Sequence, residues 1–346
     1  MEHVTAPSPP PEAGPGGLDG GDEYTYVRRP QSRRVAAWVA GLLLAGVSAV
    51  LGCRAADTDA VTPVPQVLAF LPWLLVPAAA ALLLAALGRW RVGLVWAVTV
   101  LGGLAWFIQP YGTVADPEGP PVAEVRVLAS NVEFGRGVRG LVETVRERRP
   151  DLVFASECDR ACDAALRAGL PRSAYPYRVA VSGNGADGSV ILSNLPLTPA
   201  DGVRGTLGMP GAVADVKGVP VRLQLAHPMP PTPGDVGRWR TELGRLRDFA
   251  ASGGGQATII AGDFNATQDH AAFRRILRAG VRDGARVAGS ARTPSWPTAV
   301  PRPLGTQIDH VLATEDFAAR DARFLEIGDT DHRALLIDLT LHRAPE

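Results

Sequence analysis

Residues able to hold a cation or move a proton stand at the ends of apolar runs in the last two-thirds of the chain. Asn131 closes Val127-Leu128-Ala129-Ser130-Asn131, Glu157 follows Leu152-Val153-Phe154-Ala155-Ser156, and His227 follows Leu223-Gln224-Leu225-Ala226. Asp263 and Asn265 lie in Gly262-Asp263-Phe264-Asn265, just after Ile259-Ile260-Ala261. Asp309 lies in Gln307-Ile308-Asp309-His310-Val311, and Asp331-His332 directly precede the last apolar run. Carboxylates are hard oxygen donors suited to a cation such as Mg²⁺, and histidine changes charge near neutral pH. Singly, each residue has an ordinary structural explanation. Gly-Asp-x-Asn makes a turn, Asp-His caps a strand, and Glu157 suits the first turn of a helix. Their joint occurrence at strand ends is what points to one acidic, histidine-bearing pocket, because strands that share a sheet bring their ends together.

The elements that must position them follow from hydrophobic periodicity. Val125–Asn131, Leu152–Ala155, Ser189–Leu192, Val221–Ala226, Thr258–Ala261, Ile308–Leu312 and Ala334–Leu341 read as strands. Val138–Arg149, Asp235–Ala251 and His270–Ala279 read as helices. This alternation predicts an α/β domain over 123–346. His310 faces away from Asp309 on its strand and is expected to be structural; His270 is expected to start a helix and His342 to lie in the tail.

The first third differs. Residues 1–34 are expected to form a disordered cytoplasmic tail, rich in Pro, Gly and acidic groups and ending in Arg28, Arg29, Arg33 and Arg34. Residues 35–109 hold three uncharged apolar stretches, Val35–Gly52, Val67–Leu87 and Val92–Ile108. Each approaches the ~20 residues needed to cross ~30 Å of hydrocarbon, so three transmembrane helices are expected. Soluble helices show a polar face and these do not. The arginines before the first stretch, with Arg89 and Arg91 between the second and third, put the N-terminus in the cytoplasm and the later domain outside. An alternative is a secretion signal ending at Cys53 as a lipid-attachment residue, which anchors the same domain outside. Residues 110–122, with Pro110, Pro117, Pro120 and Pro121, form a stiff linker.

Composition excludes several classes. Among 346 residues, 35 basic groups balance 35 acidic ones, which argues against a protein that coats nucleic acid. Three cysteines are too few for a disulfide-stapled fold and do not have zinc-ribbon spacing. Lys217 is the only lysine, so cationic contacts fall to arginine, whose planar fork suits phosphate.

The ordered set Ser130-Asn131, Glu157, Leu192-Ser193-Asn194-Leu195-Pro196, Gly262-Asp263-Phe264-Asn265, Thr293-Pro294-Ser295-Trp296-Pro297, Ile308-Asp309-His310-Val311 and Asp331-His332 resembles the endonuclease/exonuclease/phosphatase superfamily, the deoxyribonuclease-like metallophosphoesterases. The resemblance covers roughly 123–343 and excludes the three apolar stretches. It implies a four-layer α/β sandwich of two packed sheets flanked by helices, preceded here by the three spans. It also implies a Mg²⁺-dependent hydrolase, with Mn²⁺ as a substitute, acting on phosphodiesters of nucleic acid, phospholipid or small organophosphates. By that resemblance Glu157 is the principal metal ligand, with Asn131 and Asp331 nearby. Asp263 is the base or orienter of the attacking water, and Asn265 hydrogen-bonds the phosphate or the aspartate. His332, polarised by Asp309, contacts the scissile phosphate, and His227 is a candidate general acid. A non-catalytic binding module on the same fold is the third possibility, and nothing in the sequence points to a protein partner.

Two features depart from the family pattern. The serine-arginine-x-proline signature reads Ser193-Asn194-Leu195-Pro196, so a phosphate-gripping arginine is missing. The acidic partner of His227 is not obvious, with Asp187 the nearest candidate. The domain also lacks a basic cluster or aromatic stripe that would track a nucleic-acid backbone. Cys158 and Cys162 are four positions apart, and spacing alone leaves a disulfide and two free thiols equally open.

Overall fold

The computed structural model describes residues 31–109 and 116–343. The expected tail up to residue 30, and the start of the expected linker at 110–115, lie outside the described residues.

The apolar stretches fold into α1 (Gln31–Ala55), α2 (Val64–Leu68), a 3-10 turn (Leu71–Leu74) leading into α3 (Leu75–Leu87), and α4 (Arg91–Ile108). The expectation of three membrane-length helices is corrected by the structure. Among the described residues only α1, at 25 residues, and α4, at 18, are long and apolar enough to cross a membrane. The stretch 67–87 is interrupted at Ala69–Phe70, before the 3-10 turn whose second residue is Pro72, which lacks the N–H needed to carry an incoming helix through. That leaves the 13 residues of α3, about 20 Å at 1.5 Å each. Ala40, Leu44, Ala78, Ala81, Ala85, Ala97 and Leu104 pack between α1, α3 and α4, where small side chains let backbones approach closely. Trp38, Leu42, Val76, Leu83, Leu87, Val92, Val95 and Trp106 face outward and are exposed.

The remainder is an α/β sandwich. Its strands are β1 (Pro121–Asn131), β2 (Leu152–Ser156), β3 (Tyr177–Val181), β4 (Ser189–Ser193), β5 (Leu197–Ala200), β6 (Gly211–Val216), β7 (Val219–Ala226), β8 (Thr258–Asp263), β9 (Val281–Asp283), β10 (Asp309–Thr314), β11 (Phe317–Glu326) and β12 (Arg333–His342). They form two mixed sheets, ordered β11-β12-β1-β2-β4-β3 and β5-β6-β7-β8-β10-β9. The centres of both sheets, β2, β4 and β8, are buried along their whole length, which is why they read as continuous apolar runs. Val127, Phe154, Leu223, Leu225, Ile259, Val311 and Ile337 interlock between the sheets. The helices α5 (Val138–Arg148) and α6 (Arg160–Gly169) cover the outside of the first sheet, and α7 (Val236–Ala251) and α8 (Ala271–Leu277) cover the second. The short α9 (Gly284–Val287) sits beside β10 and β11.

Sequence patterning gave no hint that the helical segment is bonded to the sandwich. Asp59 accepts the N–H of Ala272 at 2.8 Å, while Asp57 pairs with Arg274 and with Arg278, the latter at 2.7 Å. Those arginines, the Arg278 hydrogen bond foremost, hold the Asp57 carboxyl at about 2 against the opposing effect of burial. Asp269 is fully buried and receives both Arg54, at 3.3 Å, and Arg292. Such charges are tolerated inside only when paired. His270, expected simply to start a helix, does cap α8, and its Nδ1 also accepts from Thr267 N at 2.8 Å, leaving Nε2 to donate to Pro65 O at 2.7 Å. Burial pushes its pKa down, in keeping with this neutral tautomer.

Candidate active site

All the candidate residues gather at one end of the sandwich. Parallel pairing of β1 with β2 sets Asn131 beside Ser156, and parallel pairing of β7 with β8 sets Ala226 beside Gly262. β10 runs antiparallel to β8 with Asp309 opposite Asp263. Two local backbone features make the approach possible. Gly262 has φ 143°, and a Cβ there would lie 2.2 Å from Ala226 O, so only glycine lets β8 come this close to the strand that ends before His227. Glu157 sits at φ 56°, a left-handed turn off the end of β2; backbone held in that sparsely populated region clusters at functional sites.

The side chains meet across the two sheets. Asn131 Nδ2 donates to Glu157 Oε1 at 3.0 Å and to Asp263 Oδ2 at 3.1 Å, while its Oδ1 accepts from Glu133 N. Glu157 Oε2 accepts from Phe134 N at 3.0 Å. His227 Nε2 lies 3.7 Å from Glu157 Oε1, too far for a hydrogen bond yet close enough for charge to act. Burial raises the Glu157 carboxyl, but His227, the Asn131 amide and Phe134 N–H outweigh it and hold it at about 2. On the other side His332 Nδ1 and Asp309 Oδ2 are 2.9 Å apart, and Nε2 lies 3.8 Å from Asp263 and 3.7 Å from Asp331. Burial depresses His332, yet Asp309, Asp263 and Asp331 together raise it to about 10, so it is a cation at neutral pH. Burial, reinforced by Asp309, pushes the Asp263 carboxyl upward against His332 and His227.

Some residues are placed differently from the expectation. Asn265 turns its side chain to Pro228 O at 3.0 Å and reaches Asp263 through its backbone N–H at 2.8 Å, so it braces the segment after His227. Asn131 presents its amide nitrogen, not its oxygen, to Glu157. The partner sought for His227 is Glu157; His227 Nδ1 is buried without a hydrogen bond, so Asp187 does not fill that place. His310 is structural, as expected, held between Asp283 and Ala266 O. Asn194 bonds Asp151 instead of lining the site. Cys158 and Cys162 are joined in a disulfide.

Three contributors were missed. Glu133 accepts the N–H of Asp331 at 2.8 Å, Trp296 Nε1 donates to Asp331 Oδ2 at 2.8 Å, and Ser295 Oγ accepts from Asp309 N at 3.1 Å. The last two lie in the Thr293–Pro297 motif, whose residue types do not by themselves indicate a role; Glu133 has no sequence signal beyond closeness to Asn131.

The donor set bears on which metal fits. Among the described residues no three His, Cys, Asp or Glu form a metal-holding group. A site for Mg²⁺ needs only one or two carboxylates, since that ion keeps several of its waters. Glu157, ionised and partly exposed, is such a carboxylate.

Comparison with known proteins decides the family. The sequence model described as Endonuclease/Exonuclease/phosphatase family matches residues 128–332. The chain belongs to this family. Among solved structures, the sandwich is similar to an endonuclease/exonuclease/phosphatase from Beutenbergia cavernae (19% identity, 64% of this chain, 72% of that one, TM-score 0.52). It is also similar to D. rerio TDP2 complexed with a single-strand DNA product (16% identity, 63% and 99%, TM-score 0.52). A family protein from Bacteroides vulgatus aligns over 64% and 100% at 16% identity and TM-score 0.50. At these identities the likeness establishes the fold. A comparison with curated proteins returns no sequence match. The family match starts at Leu128 and ends at His332, so it spans every candidate site residue and stops short of the helical segment.

Proposed function

We propose that this family member is a divalent-metal-dependent phosphodiesterase of nuclease type, held at a membrane by its helical segment with the catalytic sandwich outside the cytoplasm. The observation that supports it most is the Asn131 amide, which joins Glu157 to Asp263 across the two sheets, with the His332 cation 3.8 Å from Asp263. Glu157, with Asp331 to one side, would hold Mg²⁺ or Mn²⁺, which when bound neutralises charge on the phosphate. Asp263 takes the proton of the attacking water, a task suited to a carboxyl whose proton affinity is raised. The imidazolium of His332 faces the phosphate and stabilises its developing charge. His227 gives a proton to the leaving oxygen. Asn131 keeps both carboxylates in place.

A second substrate class, phospholipid or small organophosphate, is favoured by one observation. The helical segment ends against the sandwich, with Trp73 Nε1 donating to Pro303 O and Phe107 O accepting from Arg292, which would keep the site near a bilayer. Membrane association is supported by the exposed apolar faces of α1, α3 and α4. The side is supported by the disulfide, a bond of oxidising compartments, and by the arginines. Both α1 and α4 run toward the sandwich, meeting it at Arg54 and Phe107, while Arg33, Arg34, Arg89 and Arg91 lie at the opposite end, where Gly88 packs beside Arg33.

In detergent, the full chain is expected to hydrolyse bis(p-nitrophenyl) phosphate with Mg²⁺ or Mn²⁺ and to stop when chelator is added. Turnover that continues in chelator would reject the metal chemistry. Plasmid DNA against phosphatidylcholine vesicles then separates the two substrate classes. A reporter fused after Glu346 is expected to be active only outside the cytoplasm; one active inside overturns the orientation.

A further inference from the structure

Residues 292–307 form a strap with the catalytic carboxylates on one side and the helical segment on the other. On the catalytic side Ser295 Oγ accepts from Ile308 N and Asp309 N, at 3.0 and 3.1 Å, and Trp296 Nε1 holds Asp331 Oδ2 at 2.8 Å. Arg333 N donates to Ser295 O at 2.7 Å and Thr298 N to Asp331 O at 2.9 Å, so both residues flanking His332 are tied to the strap. On the helical side Arg292 donates to Phe107 O, Trp73 to Pro303 O, and Thr306 Oγ1 to Ala69 O at 2.5 Å. Ala69 caps the end of α2, where carbonyls lack helical partners.

Thr306 is the node. Its carbonyl accepts from Ser295 N at 2.9 Å and Trp296 N at 3.0 Å, and its N–H donates to Trp296 O at 2.6 Å. A cavity of about 230 Å³, walled by Phe70, Trp73, Ile108, Pro294 and Gln307 among others, separates strap from helices. Beside it, the polar bonds of Arg292, Trp73 and Thr306 tie the strap to the helices.

We propose that Thr306 and Trp73 are positioning residues for the hydrolysis, using the docked helical segment as a fixed reference from which the strap places Asp309 and Asp331. The helical segment is then part of the catalytic unit and not a passive tether. The inference rests on the phosphodiesterase function proposed above for its kinetic consequence, but not for its structural one.

The test uses the full chain in detergent with Thr306→Val, which keeps the shape and removes the hydroxyl, Thr306→Ser, which restores it, and Trp73→Phe. Misplacement of a reacting group by about 1 Å costs on the order of 10²-fold. Thr306→Val and Trp73→Phe are thus expected to lower kcat on bis(p-nitrophenyl) phosphate roughly 10- to 100-fold with KM within about twofold, and Thr306→Ser to match the parent. Independently of any activity, amide hydrogen exchange is expected to speed up at 295–298 and at 331–333 in Thr306→Val and not in Thr306→Ser. Unchanged exchange at 331–333, or an equal loss in the serine variant, overturns the proposal. A parent chain that hydrolyses nothing while the exchange result holds counts against the phosphodiesterase assignment alone.

Discussion

Replacing His332 with glutamine is expected to lower kcat on a phosphodiester by ~10²–10⁴-fold, the usual cost of losing a positioned proton-carrying group. Glutamine keeps much of the shape and a donor but not the charge. Asp309 holds Nδ1 at 2.9 Å, leaving Nε2 toward Asp263 and Asp331. Those three carboxylates overcome burial and keep the imidazolium up to about pH 10. The same charge has a signature in stability. A folded pKa above the unfolded 6.5 means that His332 stabilises the fold fully below pH 6.5 and that this contribution is lost as pH rises through about 10. Urea unfolding of the chelated full chain is expected to show that decline in the parent and a flatter profile in His332→Gln. Equal turnover in parent and variant would remove His332 from the mechanism.

Glu157→Gln is expected to be as damaging by a different route. The glutamate is held ionised at about 2 and fixed by Asn131 Nδ2 and Phe134 N. The amide preserves size and loses the charge that a hard cation requires. A metal acting as Lewis acid contributes several kcal/mol, so the rate is expected to fall ~10³-fold or more, since 1.36 kcal/mol is tenfold. The activating Mg²⁺ concentration is expected to rise at least about 100-fold, read from initial rates against Mg²⁺. An Mg²⁺ activation curve that superimposes on the parent's would show that Glu157 is not the ligand.

Much of the sandwich was legible because strands and helices announce themselves locally. The run Thr258–Ala261 reads as a strand from its own four residues, and β8 forms there. The docking of the helical segment had no such signal. Asp59 and Ala272 are 213 positions apart, and an aspartate in a short polar loop looks the same whether it meets water or an α8 amide. The middle apolar stretch misled for a related reason. Its hydropathy resembles a span, while Pro72 acts on backbone geometry that hydropathy does not register.

The amino-acid order by itself determined which chemical types stand at which strand ends, since alternation of side chains and the punctuation of apolar runs are properties of neighbours along the chain. It placed Asn131, Glu157, His227, Asp263, Asp309 and His332 at one end of a folded domain. Only the tertiary structure decided what each atom faces. Asn131 turned its nitrogen to Glu157 because Glu133 N occupies its oxygen, and Asn265 turned to Pro228. Trp296 and Ser295 became supports because the folded chain sets them beside Asp331 and Asp309. Hydrogen-bond partners are chosen by proximity in space, and proximity between sheets and helices arises only once the whole chain has packed.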